Sequence, residues 1–322
     1  MQETLDNETL ENESMKKKNT ISVCILAYNE QKHIAHTIQS IIENNKTIDF
    51  DVIVYANGCT DNTVEIVSDL QATYKNLYVR DIKQAGKSNA WNIAFDENKD
   101  KEILVFTDAD IESEQGSIQA LYEQFSTTST TLACCQSRPL QEGLPFEQRF
   151  TAFLKTPIVQ NYLSGCFYAI NRKQIEEIFK KQNLSGIPEG VVGEDLFIEL
   201  LVPKEQTVIV NKKCFYVPPF IQDYLKFLAR MKWQRKQMDL FFKDSFDDTE
   251  ALEKKSAISS LTKKWNDATD KPAFIKGLFV AVVRHLFILF SKKDINKYYE
   301  SLGPIVEKGR NILVDTRATE AK

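Results

Sequence analysis

From residue 21 the chain alternates short apolar runs with longer amphipathic stretches. Residues 21–26, 51–55, 77–82 and 102–106 are strand-length runs dominated by Val, Ile, Leu and aromatic side chains. Helical patterns follow the first three, near 31–42, from 60 or 61 to about 70, and near 87–95. Strands alternating with helices of this length predict βαβ units and a mainly parallel sheet. Right-handed crossovers bring the strand exits to one edge. Those exits are polar: Tyr28-Asn29-Glu30, Asn57-Gly58, Gln84-Ala85-Gly86-Lys87 and Asp108-Ala109-Asp110. From about residue 130 the alternation loosens into strands at 131–136, 162–170, 207–210 and 214–217 and helices at 146–155 and 194–201. After Pro218-Pro219 only helical patterns remain, at 221–242, 249–265, 273–290 and 293–308. The proline pair marks a boundary. The predicted organisation is an acidic, disordered tail over 1–20, an α/β domain over 21–220 and a helical C-terminal region over 221–322.

Composition narrows the class. With 322 residues and 43% hydrophobic content the chain is globular, and a net charge of −4 gives no basic field for nucleic acid. The six cysteines form no Cys-x-x-Cys pair and fall largely in strand patterns, which predicts reduced core residues of a cytosolic protein. His33 and His36 lie one helical turn apart, but no ligand follows at zinc spacing. No apolar leader opens the chain. The stretch 273–290 is apolar nearly all round, yet Lys276, Arg284 and His285 interrupt it, so its charge-free run is far below the ~20 residues of a membrane span. It is expected as a core helix, or as one resting on a membrane surface.

The Asp108–Asp110 pair stands where ligands bind in open α/β sheets, just beyond the carboxyl end of a strand. Two hard oxygen ligands there suit Mg²⁺ or Mn²⁺, with substrate phosphates completing the shell. Helix capping by an Asp-rich turn accounts for the same residues. No Gly-x-Gly-x-x-Gly follows the first strand, which argues against a dinucleotide dehydrogenase. A P-loop and a Gly-x-Ser-x-Gly elbow are also absent.

Six segments, in order and at plausible spacing, decide between these readings: ISVCILAYNEQKHI (21–34), DVIVYANGCTDNT (51–63), GKSNAWNIAF (86–95), VFTDADI (105–111), SGCFYAINR (164–172) and GEDLFIEL (193–200). Together they resemble the family 2 glycosyltransferases. The resemblance covers roughly residues 21–220 and implies a GT-A fold, with a Rossmann-like, mostly parallel central sheet and helices on both faces. It implies that Ala27, Tyr28, Glu30, Asn57 and Lys87 hold the donor nucleotide and that Asp110, with Asp108, holds a divalent metal and the donor. It also implies that Asp195 is the general base of an inverting transfer. Gly165, Glu194, Arg230, Trp233 and Arg235 are candidate donor or acceptor contacts. Two departures stand out. Ala56 occupies a position that is often acidic in the family, which leaves the donor base open. Arg230-Met231-Lys232-Trp233-Gln234-Arg235 differs from the Gln-x-x-Arg-Trp of processive members, so processive synthesis is not supported.

The expected function is transfer of a sugar from a nucleoside diphosphate-sugar to an acceptor hydroxyl, saccharide or lipid-linked, in polysaccharide or glycoconjugate synthesis. The rivals are a sugar-phosphate nucleotidyltransferase and a non-catalytic nucleotide-sugar-binding protein. The first needs a Gly-rich cationic loop where Tyr28-Asn29-Glu30 stands. The helical region is equally open to packing on the catalytic domain, forming a homodimer, or placing a cytoplasmic enzyme peripherally at the inner face of a membrane through 273–290.

Overall fold

A computed structural model describes residues 20–126, 129–140, 142–155, 163, 165–242 and 271–301. Eight strands form one sheet in the order β3-β2-β1-β4-β7-β6-β8-β5. The strands are β1 (Ile21–Ala27), β2 (Asp51–Asn57), β3 (Leu77–Ile82), β4 (Ile103–Asp108), β5 (Ile111–Ser113), β6 (Leu132–Pro139), β7 (Phe167–Asn171) and β8 (Thr207–Tyr216). The first four run parallel, and β7 joins β4 antiparallel. The central strands carry apolar residues on both faces because helices cover both. Along β1, Val23, Ile25 and Ala27 enter one core cluster while Cys24 and Leu26 enter the other, the two-residue period of a pleated strand.

The first cluster is sealed by α1 (Ile34–Glu43), α2 (Thr63–Leu70) and α4 (Ser117–Glu123). The second is sealed by α3 (Lys87–Glu97), α6 (Arg172–Lys181) and α7 (Glu194–Leu201). At its centre Trp91 is fully buried. Its ring lies 4.8 Å from Phe106 and 5.1 Å from Phe95, and its indole N–H donates to Tyr168 Oη at 3.0 Å. The first helix of the C-terminal region, α8 (Ile221–Phe241), ends in this same core, with Met238 buried and Phe241 edge-on to Phe197 at 5.3 Å. Its middle packs on α10 (Lys292–Ser301), and Phe287 of α9 (Lys271–Phe290) lies between Tyr224 of α8 and Phe150 of α5 (Phe146–Lys155). Among the described residues no helix is long and apolar enough to cross a membrane.

Four local differences from the sequence expectation have physical causes. Residues 207–216 form one strand rather than two, because 207–209 and 213–216 pair with the same strand β6 and the residues between them form an irregularity in that ladder rather than a break. The strand expected at 162–170 begins only at Phe167. Helix α6 was not anticipated, although Asn171 caps it by accepting from Gln174 N at 3.2 Å. Helix α4 and the three-residue β5 are too short to print a period. The helix expected at 249–265, the end of the one expected at 293–308 and the tail over 1–19 lie outside the described residues. All six cysteines are thiols, as expected, with Cys24, Cys134, Cys135 and Cys214 buried.

Trp91→Ala removes the largest buried ring and leaves Tyr168 without its donor. Unfolding free energy from a denaturant titration is expected to fall by about 3–5 kcal/mol.

Candidate active site

The polar exits of β1, β2 and β4 and the turn that opens α3 meet at one edge of the sheet. Asn57 locks three of them together: its amide donates to Ala27 O at 2.8 Å, and its side-chain oxygen accepts from Gly86 N at 3.0 Å. Asn57 is buried by this arrangement. Its chemistry is spent on the backbone. Asn29, a plausible cap of the first helix by residue type, instead accepts from Thr60 N at 2.8 Å, and α1 has no side-chain cap. Asp61 accepts from Gln31 N at 3.0 Å and Thr63 N at 3.1 Å, while Thr63 Oγ1 accepts from Glu30 N at 2.8 Å. The loop Tyr28–Gln31 is thus fixed from behind, with Tyr28 exposed at its rim and Ala27 buried beneath it.

The end of β4 is held as tightly. Thr37 of α1 donates its hydroxyl to Ala109 O and Ile111 O at 2.8 and 2.9 Å. Asp108 N donates to Cys166 O at 3.1 Å, and Val217 N to Asp110 O at 3.3 Å. On this support the carboxylates of Asp108 and Asp110 sit beside a network of charge. Lys87 Nζ lies 2.6 Å from Asp108 Oδ1 and 2.7 Å from Glu194 Oε1. Burial works against the Lys87 charge, but Asp108, Glu194 and Asp195 outweigh it and hold the ammonium well above its ordinary pKa. Glu194 is 3% exposed whereas Lys87 keeps 40%, so the pair forms the floor of an open cleft. Glu194 is therefore the buried counter-ion of Lys87. Burial, then Asp110 and Asp108, raises Glu30 to about 7. Burial, then Asp108, raises Asp110 to about 6.

Asp195 begins α7 beside Glu194 and is enclosed from two sides. A Cβ on Gly165 would collide with Asp195 Oδ2, and one on Gly193 would collide with the Gln234 amide. Gly193, at φ 87°, is in the left-handed region as well, so only glycine serves both demands. Gln234 Nε2 of α8 stands 3.5 Å from Asp195 Oδ1. The loop before α7 is clamped by both helices. Ser88 Oγ donates to Val191 O at 2.6 Å, and Asn92 makes a reciprocal pair with Ile187 at 2.7 and 2.9 Å. Gln237 Oε1 accepts from Val192 N at 2.8 Å, and its amide donates to Gly190 O at 2.9 Å.

The basic stretch of α8 divides by helical face. Arg230 and Arg235 are exposed, whereas Trp233 is buried against Tyr299 of α10 at 5.0 Å. Trp233 thus packs α8 against α10. Arg230 shares the Phe227 ring with Lys155, whose ammonium lies 4.8 Å from that ring and 4.2 Å from Tyr216. Lys155 was missed in the sequence, as were Gln234 and Gln237 as supports. It ends α5 and feels the fields of Asp110 and Asp108, although burial leaves its pKa below the ordinary value. Among the described residues no three His, Cys, Asp or Glu side chains form a complete metal cage.

The family model for glycosyl transferase family 2 matches residues 22–187. This chain belongs to glycosyl transferase family 2. It is 28% identical over 117 residues to a teichoic acid poly(glycerol phosphate) polymerase from Staphylococcus epidermidis, a match covering 36% of this chain and 16% of that protein. Its fold is similar to that of the mannosyltransferase PcManGT from Pyrobaculum calidifontis, solved in complex with GDP-Man and Mn²⁺. That likeness has a TM-score of 0.53 and 18% identity over 95% of this chain and 81% of the other. S. aureus TarS gives a TM-score of 0.46 at 17% identity, over 92% and 88% of the two chains. The sheet order and its helical layers are those of the GT-A fold expected of the family.

Two predictions follow from the charge network. Lys87→Met strands the buried Glu194 carboxylate and is expected to cost about 2 kcal/mol in denaturant titration. That is less than the loss from a sealed pair, because solvent reaches Lys87; adding Glu194→Gln should recover part of it. For Glu30 the folded pKa of about 7 lies above its ordinary 4.5. Its contribution to stability is then complete below about 4.5 and is lost as pH rises through about 7. Calorimetry of the metal-free chain should show a Tm decline across that window that is shallower in Glu30→Gln.

Proposed function

We propose that this chain transfers a glycosyl group from a nucleoside diphosphate-sugar to an acceptor hydroxyl, with inversion and without processivity. The observation that carries this reading is the convergence of Asp108, Asp110, Lys87 and Asp195 on one cleft at the carboxyl ends of the strands. Family membership supplies the reaction class. The donor set suits a hard divalent cation, Mn²⁺ or Mg²⁺. Two carboxylates are what such ions commonly take from a protein when substrate phosphates provide the remaining oxygens. Burial, and after it repulsion from Asp108, raises Asp110, and a bound dication would favour its charged form against both. When bound, the metal would neutralise charge developing on the leaving diphosphate.

The chain's own residues do the rest. Tyr28 and Glu30 border the nucleotide end, and Asn57 keeps their loop rigid. Lys87 holds Asp108 in place and offsets the charge of the cleft floor. Asp195 accepts the proton of the acceptor hydroxyl as its oxygen bonds to the anomeric carbon and the bond to the diphosphate breaks. A single displacement of this kind inverts the anomeric centre. Gln234 and Gln237 set the angle from which Asp195 works, and Gly165 leaves the room for its carboxylate. Thus the 21–220 domain holds the donor, and the region from 221 onward supplies part of the support for the base. The thiol state of all six cysteines supports a reducing, cytoplasmic setting. Neither a sugar-phosphate nucleotidyltransferase nor a simple binding protein explains Asp195 as well. The loop at Tyr28–Gln31 also lacks the cation the former needs.

A thermal-shift screen of nucleotide sugars with Mn²⁺ should identify the donor by a rise in Tm, which chelation with EDTA reverses. With that donor, Asp195→Asn should lose roughly 10²–10⁴-fold in transfer rate while keeping the donor-induced Tm rise. Near-normal transfer by a folded Asp195→Asn protein would refute the base assignment.

A further inference from the structure

Two cations stand together on the α5–α8 side of the cleft with no carboxylate at ion-pair distance among the described residues. Lys155 ends α5, and its ammonium lies 4.2 Å from the Tyr216 ring and 4.8 Å from the Phe227 ring. Arg230 lies 5.9 Å from that same Phe227 ring and is exposed. Lys87, by contrast, is held between Asp108 and Glu194. The carboxylates of this side have other partners or another task. Asp110 and Asp108 act on Lys155 through space, and they are the pair that suits the metal. Asp223 shares a face of α8 with Arg230 but lies two turns earlier and pairs with Lys226 at 2.9 Å. Glu147, near the other end of α5, accepts from Ile221 N. Glu142 follows β6 by three residues and is exposed, where water and salt screen it. A cation set against aromatic rings and unmatched by a carboxylate keeps its charge for a ligand.

The place of this pair in the fold indicates the ligand. Tyr216 pairs with Ile111, directly after Asp110, and Val217 N donates to Asp110 O, so Lys155 borders the metal end of the cleft. Along α8, Phe227, Arg230 and Gln234 are three and four residues apart and share one face. Gln234 is the side chain that reaches Asp195, so Arg230 stands one helical turn from the base. In an in-line displacement the leaving diphosphate and the attacking hydroxyl lie on opposite sides of the anomeric carbon. Asp195 marks the acceptor's side, and the α8 face that carries Arg230 continues from it. We propose, on the reading of the cleft as a glycosyl-transfer site with Asp195 as base, that Lys155 and Arg230 form an oxyanion subsite for a phosphate group carried by the acceptor. Lys155 supplies a point charge, and the guanidinium of Arg230 a planar fork for two phosphate oxygens. Held there, the phosphate orients the acceptor so that its hydroxyl meets Asp195.

The test is a ³¹P NMR titration of the full chain with methyl phosphate, at constant ionic strength, with Mg²⁺ and UDP, GDP, dTDP or CDP in turn. The monoester and the diphosphate resonate apart, so one spectrum reads both sites. The wild-type chain should bind methyl phosphate while a nucleoside diphosphate is seated. Arg230→Gln, a change at an exposed side chain, and Lys155→Gln should each raise the methyl phosphate Kd about tenfold or more. Circular dichroism and the nucleoside diphosphate Kd should stay as in the wild type. Absence of methyl phosphate binding with a nucleotide seated overturns the subsite alone, and so does undiminished binding by both variants. A nucleoside diphosphate Kd that rises as far as that of methyl phosphate would assign the two cations to the donor and overturn it equally. A wild-type chain that takes none of the four nucleotides with Mg²⁺ would sink the glycosyl-transfer reading itself, and the subsite with it.

Discussion

The ammonium of Lys87 is the constraint on which the cleft depends. Glu30, Asp108, Asp110, Glu194 and Asp195 crowd a single sheet edge, and carboxylates so placed repel one another and resist burial. Lys87 bridges Asp108 and Glu194 and acts on Asp195 through space, so one cation joins the end of β4 to the start of α7. Its position is set by packing. It is the first residue of α3, whose Trp91 and Phe95 are sunk in the second core against Phe106 of β4. The ring stack fixes the helix to the strand, and the ion pair fixes the helix start to that strand's end.

The same logic explains why the C-terminal helix belongs to the chemistry. The loop before Asp195 sinks Ile187 and Val191 into the second core, and its backbone is held besides by polar side chains reaching in from α3 and α8. Gly165 and Gly193 are the counterpart of those clamps, since each yields space that an adjoining carboxylate or amide fills. A loop held through side-chain amides is stiff only while both helices are docked. The burial of Met238 and the contact of Phe241 with Phe197 keep α8 docked. Packing far from the cleft and geometry within it are therefore coupled.

Much of this was legible in the sequence. The apolar runs of β1, β2 and β4 lie largely buried on both faces, whereas the edge strand β3 buries only Leu77 and Ile82, and a both-face run with a polar exit is a strong local signal. Asp108, Asp110 and Asp195 stood out through segments whose order and spacing resemble the family. Residues whose type fits two roles were harder. Asn57 sits at a strand exit, where an amide bonds a nucleobase or a backbone with equal ease, and only the fold shows that backbone occupies it. Trp233 neighbours arginines and reads as a ligand contact. Yet Leu225, Ala229, Trp233 and Gln237 are four residues apart and share the buried side of α8, a signal that was present. Lys155 gave no signal at all, because its place beside Tyr216 depends on how α5 lies over the end of β8.

Helix α5 links the two ends of the molecule. Its ten residues span about 15 Å at 1.5 Å per residue. Phe146 stands exposed at its start, and Lys155 at the other end lies within the field of Asp110. The helix cannot tilt freely between them, because Gln148 and Thr151 donate to the carbonyls of Pro218 and Pro219 at 2.6 and 2.5 Å. The exposed start of α5 is thus held at a fixed distance and angle from the cleft. The proline pair, a domain boundary by sequence, acts here as the bracket that holds α5 in register with the cleft.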